Sequence, residues 1–280
     1  MRTCTRILGL AFLLMAAPLP APFVPPPEDK RPITIAVAAS AVPFVRAATA
    51  AGFARGAPPV VISSGATGLL ARQLREGAPF DIFVAADMAT VVSLARGGFV
   101  ETSSVACWGR GELLLWTPDA TDSTSPMASR WADWPAFVAD ARSPAGGRPP
   151  RFAIANPETA PFGAAARKAL RDAGLWDALE PRVIRMDDVG QALQAARSGQ
   201  VEAAFVPRSL LASAVPSAGE ASIPVPGAGI LHALGVVARS GSIEAGPDNR
   251  GCSRDVVARM LQFARTDAAR KLGYLPPPGP

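Results

Sequence analysis

Short apolar runs alternate with amphipathic stretches along most of this chain, and the alternation predicts strands followed by helices. The run ITIAVA is typical of a buried strand, and an alanine-rich stretch with helical periodicity follows it. The first predicted elements, in chain order, are strand Ile33–Ala38, a helix to about Arg55, strand Val60–Ser63, helix Leu69–Glu76, strand Asp81–Ala85 and helix Thr90–Arg96. Such repeated strand–helix–strand units predict parallel sheets of the α/β class.

The same alternation continues after a region of different composition. Residues 119–150 are rich in Pro, Ser, Asp and Gly, which predicts a loop region with one short helix. The later predicted elements are strands Leu113–Trp116, Phe152–Ala155, Arg182–Arg185, Ala203–Val206 and His232–Ala238, and helices Gly163–Asp172, Val189–Arg197, Val256–Ala264 and Asp267–Leu272. No internal repeat is visible.

The two ends of the chain read as segments outside the fold. Arg2 and Arg6 precede an apolar run, Ile7–Ala17, which is too short to cross a bilayer and is typical of a secretory signal peptide. We therefore predict a signal peptide at 1–21, a proline-rich leader at 22–32 and a disordered tail at 275–280. The mature chain is expected to be exported, with no membrane insertion.

Charge and metal-ligand content exclude several functions. The formal net charge is +5 and falls to +3 once Arg2 and Arg6 are removed, which is weak for a nucleic-acid binder. A single histidine, His232, and the absence of CxxC or HExxH spacing argue against a zinc or iron site. Cys107 and Cys252 remain after export, either as a disulfide or as two free thiols.

The loop Ser63–Gly68 is the first candidate for chemistry. It has three hydroxyl residues, two glycines and no charged side chain, and it leads directly into a predicted helix. A helix N-terminus presents free backbone N–H groups and the positive end of the helix dipole, which suits an anion. The alternative is an ordinary helix cap.

Longer segments resemble a known family, the periplasmic molybdate-binding proteins of molybdate ABC transporters. They are ITIAVAAS, SGATGLLARQLREGAPFDIFVAAD, FAIANPETAPFGAAARKALRDAGLWDALEPRVIRMDDVGQAL and FARTDAARKLGYLPP. The resemblance implies a two-lobed periplasmic-binding-protein fold of type II, in which each lobe has a mixed, mostly parallel sheet flanked by helices. One lobe would comprise 33–106 plus 235–274, the other 110–230, with the ligand in the cleft between them.

The resemblance also implies four contacts to a tetrahedral oxyanion. Ser40 and Thr67 stand at the family's two hydroxyl positions, where Thr67 replaces the usual serine. Phe162 and Val189 stand where the family uses backbone N–H groups. These groups would contact molybdate oxygens, with no direct bond to the metal atom and no other cofactor. Read from the residues alone, Ser40 and Thr67 are helix caps and Phe162 is a core residue.

Pro207 departs from the family pattern, because it occupies the position of a tyrosine ligand. Proline has neither a phenol nor a backbone N–H, so one donor is missing unless Ser209 or a water replaces it. A buried anion oxygen without its donor costs about 1.5–3 kcal/mol, or one to two decades of affinity. Ser63 and Ser64 are additional candidate ligands.

The remaining polar candidates are expected to be structural. A carboxylate beside an anion would repel it, so Asp81 and Asp87 are read as caps or hydrogen-bond partners. Adjacent Asp187 and Asp188 are read as N-terminal helix caps, and His232 as a satisfied buried histidine.

The sequence therefore predicts a periplasmic, monomeric binding protein that captures molybdate or tungstate and delivers it to an ABC permease. One alternative is the same fold with another oxyanion or a small organic acid as ligand. An exported hydrolase is a weaker alternative, because the chain has no G-x-S-x-G motif and the lone histidine has no recognisable serine and carboxylate setting. We expect no enzymatic activity.

Overall fold

The structure is a computed structural model that describes residues 31–51, 58–117, 131–143, 150–213, 221–238 and 250–277. The predicted signal peptide lies outside these ranges, as does nearly all of the predicted leader. Parts of the first predicted helix and of the 119–150 region also lie outside them. Within the described residues, no helix has the length and apolar character needed to span a membrane.

A six-stranded sheet contains both ends of the described chain. Its strands are β1 (Ile33–Ala38), β2 (Val60–Gly65), β3 (Ile82–Ala85), β4 (Ala106–Gly111), β10 (Ile230–Val236) and β11 (Tyr274–Leu275), in the order β11-β4-β10-β3-β1-β2. β1 pairs in parallel with both β2 and β3, whereas β10 runs antiparallel to β3 and β4. The helices connected to this sheet are α1 (Val42–Ala50), α2 (Thr67–Arg75), α3 (Met88–Arg96), α9 (Arg250–Phe263) and α10 (Asp267–Lys271), with 3₁₀ turns at Ala39–Ala41 and Thr102–Ser104.

A five-stranded sheet is formed by the middle of the chain. Its strands are β5 (Leu113–Thr117), β6 (Phe152–Ala155), β7 (Val183–Met186), β8 (Ala203–Pro207) and β9 (Ala221–Pro224), in the order β7-β6-β8-β5-β9. β6 pairs in parallel with β7 and β8, and β5 is antiparallel to its neighbours. Its helices are α4 (Trp134–Arg142), α5 (Pro161–Asp172), α6 (Trp176–Leu179), α7 (Val189–Arg197) and α8 (Arg208–Ala212), with a 3₁₀ turn at Glu180–Arg182.

Both faces of the central strands are covered, which explains why they read as continuous apolar runs. In β1, Ile35 and Val37 belong to the main hydrophobic cluster, whereas Ala36 belongs to a second cluster on the opposite face with Phe83 and Leu94. A third cluster covers the outer face of the five-stranded sheet.

The chain passes from the first sheet to the second through one residue, Glu112, between β4 and β5. Arg208, which follows β8, donates its backbone N–H to the Glu112 carbonyl at 2.9 Å and its Nε to the Glu112 carboxylate at 2.7 Å. The return crossing joins β9 to β10 through residues 225–229. The two sheets are thus connected at one edge, where a hinge between them would lie.

Most predicted elements are confirmed, several with shifted ends. Strand β4 was not predicted, and neither were β9, β11, α6 and α8. β11 includes Leu275, so the tail predicted from 275 begins inside a strand. The predicted loop at Ser63–Gly68 is wrong in detail: β2 continues through Gly65, and a single residue, Ala66, separates it from α2.

Candidate functional site

A small cavity lies between the two sheets, at the carboxyl ends of parallel strands from both. Open α/β sheets bind ligands at this end of their strands. The six-stranded side contributes residues that follow β1, β2 and β3, and the five-stranded side contributes residues that follow β6 and β7. The lining residues are Ala38, Ala39, Ser40, Gly65, Ala66, Thr67 and Ala86 on one side, and Ala160, Pro161, Phe162, Asp188 and Val189 on the other.

All four residues that the sequence pointed to, Ser40, Thr67, Phe162 and Val189, line this one cavity. The space open to the centre of a water-sized sphere is about 10 Å³, enough for about one water. Without side-chain or sheet movement, such a cavity admits only a very small ligand. Ser63 and Ser64 do not line it; both lie in β2, and Ser64 is exposed.

Ser40 lies in the 3₁₀ turn after β1 and is 1% exposed. Its predicted role as an N-cap is wrong, because the N-cap of α1 is Ala41 and no side chain caps that helix. The Ser40 carbonyl oxygen accepts from Ser209 Oγ at 2.8 Å and from Tyr274 Oη at 2.6 Å. Two hydroxyls from distant parts of the chain thus hold the Ser40 backbone, and its own hydroxyl faces His232 Nε2 at 3.4 Å.

Thr67 is the first residue of α2 and is also 1% exposed. It is not the helix cap, because Ala66 holds that position without a side-chain bond. Thr67 Oγ1 accepts from the Ala86 backbone N–H at 3.1 Å. The hydroxyl hydrogen of Thr67 is therefore left as a donor.

Phe162 and Val189 offer backbone N–H groups in the first turns of α5 and α7. First-turn N–H groups have no acceptor within their own helix. The Phe162 ring is buried in the core, with its centroid 5.7 Å from that of His232. Its role as a core residue and its place at the cavity are thus compatible, because the first uses the ring and the second the backbone.

The electrostatics of the cavity come from helix ends rather than from cations. No Lys or Arg is among the described residues that line it. Neither α2 nor α5 has a side-chain cap, so no side-chain oxygen offsets the positive potential of either N-terminal end. The one charged lining residue, Asp188, accepts from the Gly190 and Gln191 N–H groups at 2.7 and 3.0 Å, which confirms its predicted role as a cap. The site can therefore donate hydrogen bonds to an anion.

A backbone hydrogen bond crosses from one side of the cavity to the other. The Gly68 N–H, in the first turn of α2, donates to the Thr159 carbonyl oxygen at 2.8 Å, just before α5. A Cβ at Gly68 would lie only 2.8 Å from that oxygen. Glycine is what allows the two sides to come this close.

Of the two replacements considered for the missing tyrosine donor, the structure argues against Ser209. Pro207 ends β8, where it pairs with Leu113, and is not among the lining residues. Ser209 is buried and donates its hydroxyl hydrogen to the Ser40 carbonyl, so it has none left for a ligand. Tyr274 was not predicted to contribute to the site. Its hydroxyl donates to the Ser40 carbonyl oxygen, and it does not line the cavity.

The other carboxylates are structural, as predicted. Asp87 caps α3 by accepting from the Thr90 N–H at 2.7 Å. Asp81 is 4% exposed, accepts from the Thr34 N–H at 2.8 Å and forms an ion pair with Arg31. Neither lines the cavity.

His232 is buried on β10 and has partners on both ring nitrogens, as predicted. Burial lowers its pKa from 6.5 to about 4, opposed by a hydrogen bond to the Ile230 carbonyl. The ring is thus neutral at pH 7. Its contact with Ser40 was not predicted. The Cys107–Cys252 question is also answered: both thiols are free and half-buried.

A cavity that is rich in donors and has no cationic side chain among its described lining residues, between two α/β units connected at one edge, is the architecture of a solute-binding protein. The family model described as bacterial extracellular solute-binding protein matches residues 33–272, and the chain belongs to this family.

Curated relatives include the molybdate-binding protein ModA of Azotobacter vinelandii, 32% identical over 149 residues, and that of Rhodobacter capsulatus, 29% identical over 147. The first alignment covers 52% of this chain and 53% of the relative, so the chain spans about half the length of the curated relatives it matches.

The solved structure of the Azotobacter vinelandii periplasmic molybdate-binding protein is similar over 88% of this chain and 100% of that one, with a TM-score of 0.69 and 22% identity. The predicted fold class is thereby confirmed.

Proposed function

We propose that the protein captures molybdate, or tungstate, and delivers it to an ABC permease. The central observation is the convergence of Ser40, Thr67, Phe162 and Val189 on one cavity without cationic side chains. These residues come from four separate strand-to-helix junctions, and they are the positions that the resemblance to molybdate-binding proteins implies. The curated relatives with sequence similarity are molybdate-binding proteins, which supports molybdate as the ligand of this chain as well.

The chemistry suits a dianion that has lost its water. Two hydroxyls and first-turn N–H groups supply hydrogen bonds, and the uncapped ends of α2 and α5 supply positive potential. Exclusion of water strengthens each of these contacts. The cavity has room for about one water, so a tetrahedral oxyanion enters only when the two sides move apart, and size selection depends on how far they close around it.

The two sheets would belong to two lobes that open and close around the ligand, and the crossings at Glu112 and 225–229 place the lobe limits a few residues from those expected from the sequence, 33–106 plus 235–274 and 110–230. The Gly68–Thr159 bond supports a closed arrangement, and the crossing at Glu112 supports a hinge at that edge. We infer that the protein acts in the periplasm as a monomer and has no catalytic activity.

Titration separates this proposal from the same fold with a different ligand. Purified mature protein is titrated by calorimetry with molybdate, tungstate, sulfate and phosphate. We expect micromolar or tighter binding of molybdate and tungstate, and at least tenfold weaker binding of the smaller anions. The missing tyrosine donor favours the alternative ligand, because it removes one contact to the anion. No heat and no thermal stabilisation with molybdate at 0.1 mM, on the order of 100 times a micromolar Kd, would reject the proposed ligand.

A further inference from the structure

His232 lies directly behind one of the two cavity hydroxyls. Its side chain is fully buried, with Nδ1 3.2 Å from the Ile230 carbonyl oxygen and Nε2 3.4 Å from Ser40 Oγ. One ring nitrogen is therefore tied to the backbone of its own strand, and the other faces a residue that lines the cavity.

The partners decide the direction of both hydrogen bonds. A carbonyl oxygen only accepts, so Nδ1 has the hydrogen. In a neutral ring Nε2 then has none, and the Ser40 hydroxyl must donate to it. Serine has one hydroxyl hydrogen. While the Ser40 hydroxyl donates to a neutral His232, it presents only lone pairs to the cavity, which is unfavourable for an anion.

We propose that His232 is a positioning residue for the anion: as the anion binds, the ring takes up a proton, Nε2–H donates to Ser40 Oγ, and the Ser40 hydrogen turns toward the cavity. The inference rests on the proposed anion-binding function. The proton comes from solvent, and only hydrogen bonds rearrange. One anion and one proton therefore bind together, and the imidazolium adds a positive charge behind a site that lacks the tyrosine donor.

Among the residues that the structure describes, none of those around His232 is another group that could provide this charge. Its neighbours among the described residues are Ser40, the Ile230 carbonyl, Gly111 and Trp108 from β4, Phe162 from α5 and Tyr274 from β11. Of these only Tyr274 titrates, and burial raises its pKa, so it stays neutral.

Across the cavity, the Asp188 carboxylate is held by the first turn of α7. In the empty protein, desolvation keeps the ring neutral, which fits its lowered pKa of about 4. A bound dianion is the counter-charge that would raise it.

The single histidine makes the test direct. Mature protein without a polyhistidine tag is labelled with ¹⁵N-histidine, and its ring signals are followed from pH 5 to 8, with and without 1 mM molybdate. We expect a neutral, Nδ1-protonated ring in the free protein and a protonated ring in the molybdate complex over part of this range.

Two variants test the hydrogen bond to Ser40. In His232→Gln the amide nitrogen can replace Nε2 as a donor that does not titrate. In His232→Asn the shorter amide can still donate to Ile230 but cannot reach Ser40. We expect the wild type to bind molybdate at least about threefold more tightly at pH 6 than at pH 8. The His232→Gln variant should bind molybdate with the same affinity at pH 6 and pH 8. The His232→Asn variant should bind molybdate at least about fivefold more weakly than the His232→Gln variant.

The outcomes separate this inference from the proposed function. If the wild type binds molybdate with a pH-independent affinity and an unchanged ring titration, the inference is wrong and the proposed function stands. If the wild type binds no molybdate at any pH, the proposed function is wrong and the inference fails with it. The measurement on the wild type does not depend on how well the variants fold.

Discussion

Gly68→Ala tests whether the approach of the two sides of the cavity matters for binding. A Cβ at this position would lie 2.8 Å from the Thr159 carbonyl oxygen and 3.1 Å from its Cα. Both atoms belong to the backbone, so the contact cannot be relieved by rotating a side chain. Overpacking of this kind typically costs about 1–3 kcal/mol. We therefore expect molybdate affinity to fall by roughly 5- to 150-fold.

The same substitution should leave each lobe folded. Gly68 lies in the first turn of α2, and alanine is favoured over glycine in helices by up to about 1 kcal/mol. The melting temperature of the ligand-free protein should therefore be unchanged or slightly higher, while affinity falls. This opposite response distinguishes blocked closure from general destabilisation.

Calorimetry with molybdate measures the affinity, and small-angle X-ray scattering with and without molybdate measures compaction. Gly251→Ala is the matched control, because Gly251 is also helical and its added Cβ would meet nothing within 4 Å. A folded Gly68→Ala protein that binds molybdate within about twofold of the wild type would refute the reasoning.

Three further predictions concern single side chains. Ser40→Ala should weaken molybdate binding at least about tenfold in calorimetry, through loss of a donor to a charged group; unchanged affinity would place the ligand elsewhere. The pKa of His232 is about 4 in the folded protein and 6.5 ordinarily. Between these pH values the unfolded chain therefore binds more protons than the folded protein, so the free energy of unfolding decreases as the pH falls from 6.5 to 4. In urea titrations, the free energy of unfolding of the wild type should therefore fall between pH 7 and pH 4 by on the order of 3 kcal/mol more than that of His232→Gln. Equal decreases in the two proteins would contradict this. Asp81→Ala should lower unfolding free energy by about 1–3 kcal/mol, because it leaves the half-buried Thr34 N–H without its acceptor and removes the ion pair with Arg31, while molybdate affinity stays within about threefold of the wild type; a selective loss of affinity would show that Asp81 belongs to the site.

The strands and helices could be predicted where hydrophobic periodicity is strong, as in β1 and α7. β4 could not, because its sequence ACWGRG contains two glycines and an arginine, and its strand conformation depends on pairing with β10 and β11. The limits of α2 were missed because the loop chemistry of Ser63–Gly68 suggested a break where the strand in fact continues.

The cavity residues could be selected only with the help of the family resemblance. Hydroxyls and glycines at strand ends point to an anion site, but periodicity does not reveal which loops meet. The contact of His232 with Ser40 spans 192 positions, and that of Tyr274 spans 234. Contacts at such separations depend on the order of strands in the sheet, which local sequence does not determine.

The most direct test of the central claim is a crystal structure of the molybdate complex with anomalous data collected at an energy where molybdenum scatters strongly. We expect one molybdenum peak in the cavity, with the molybdate oxygens within hydrogen-bond distance of Ser40 Oγ, Thr67 Oγ1 and the Phe162 and Val189 N–H groups. A peak outside this cavity, or none in crystals grown with saturating molybdate, would contradict it.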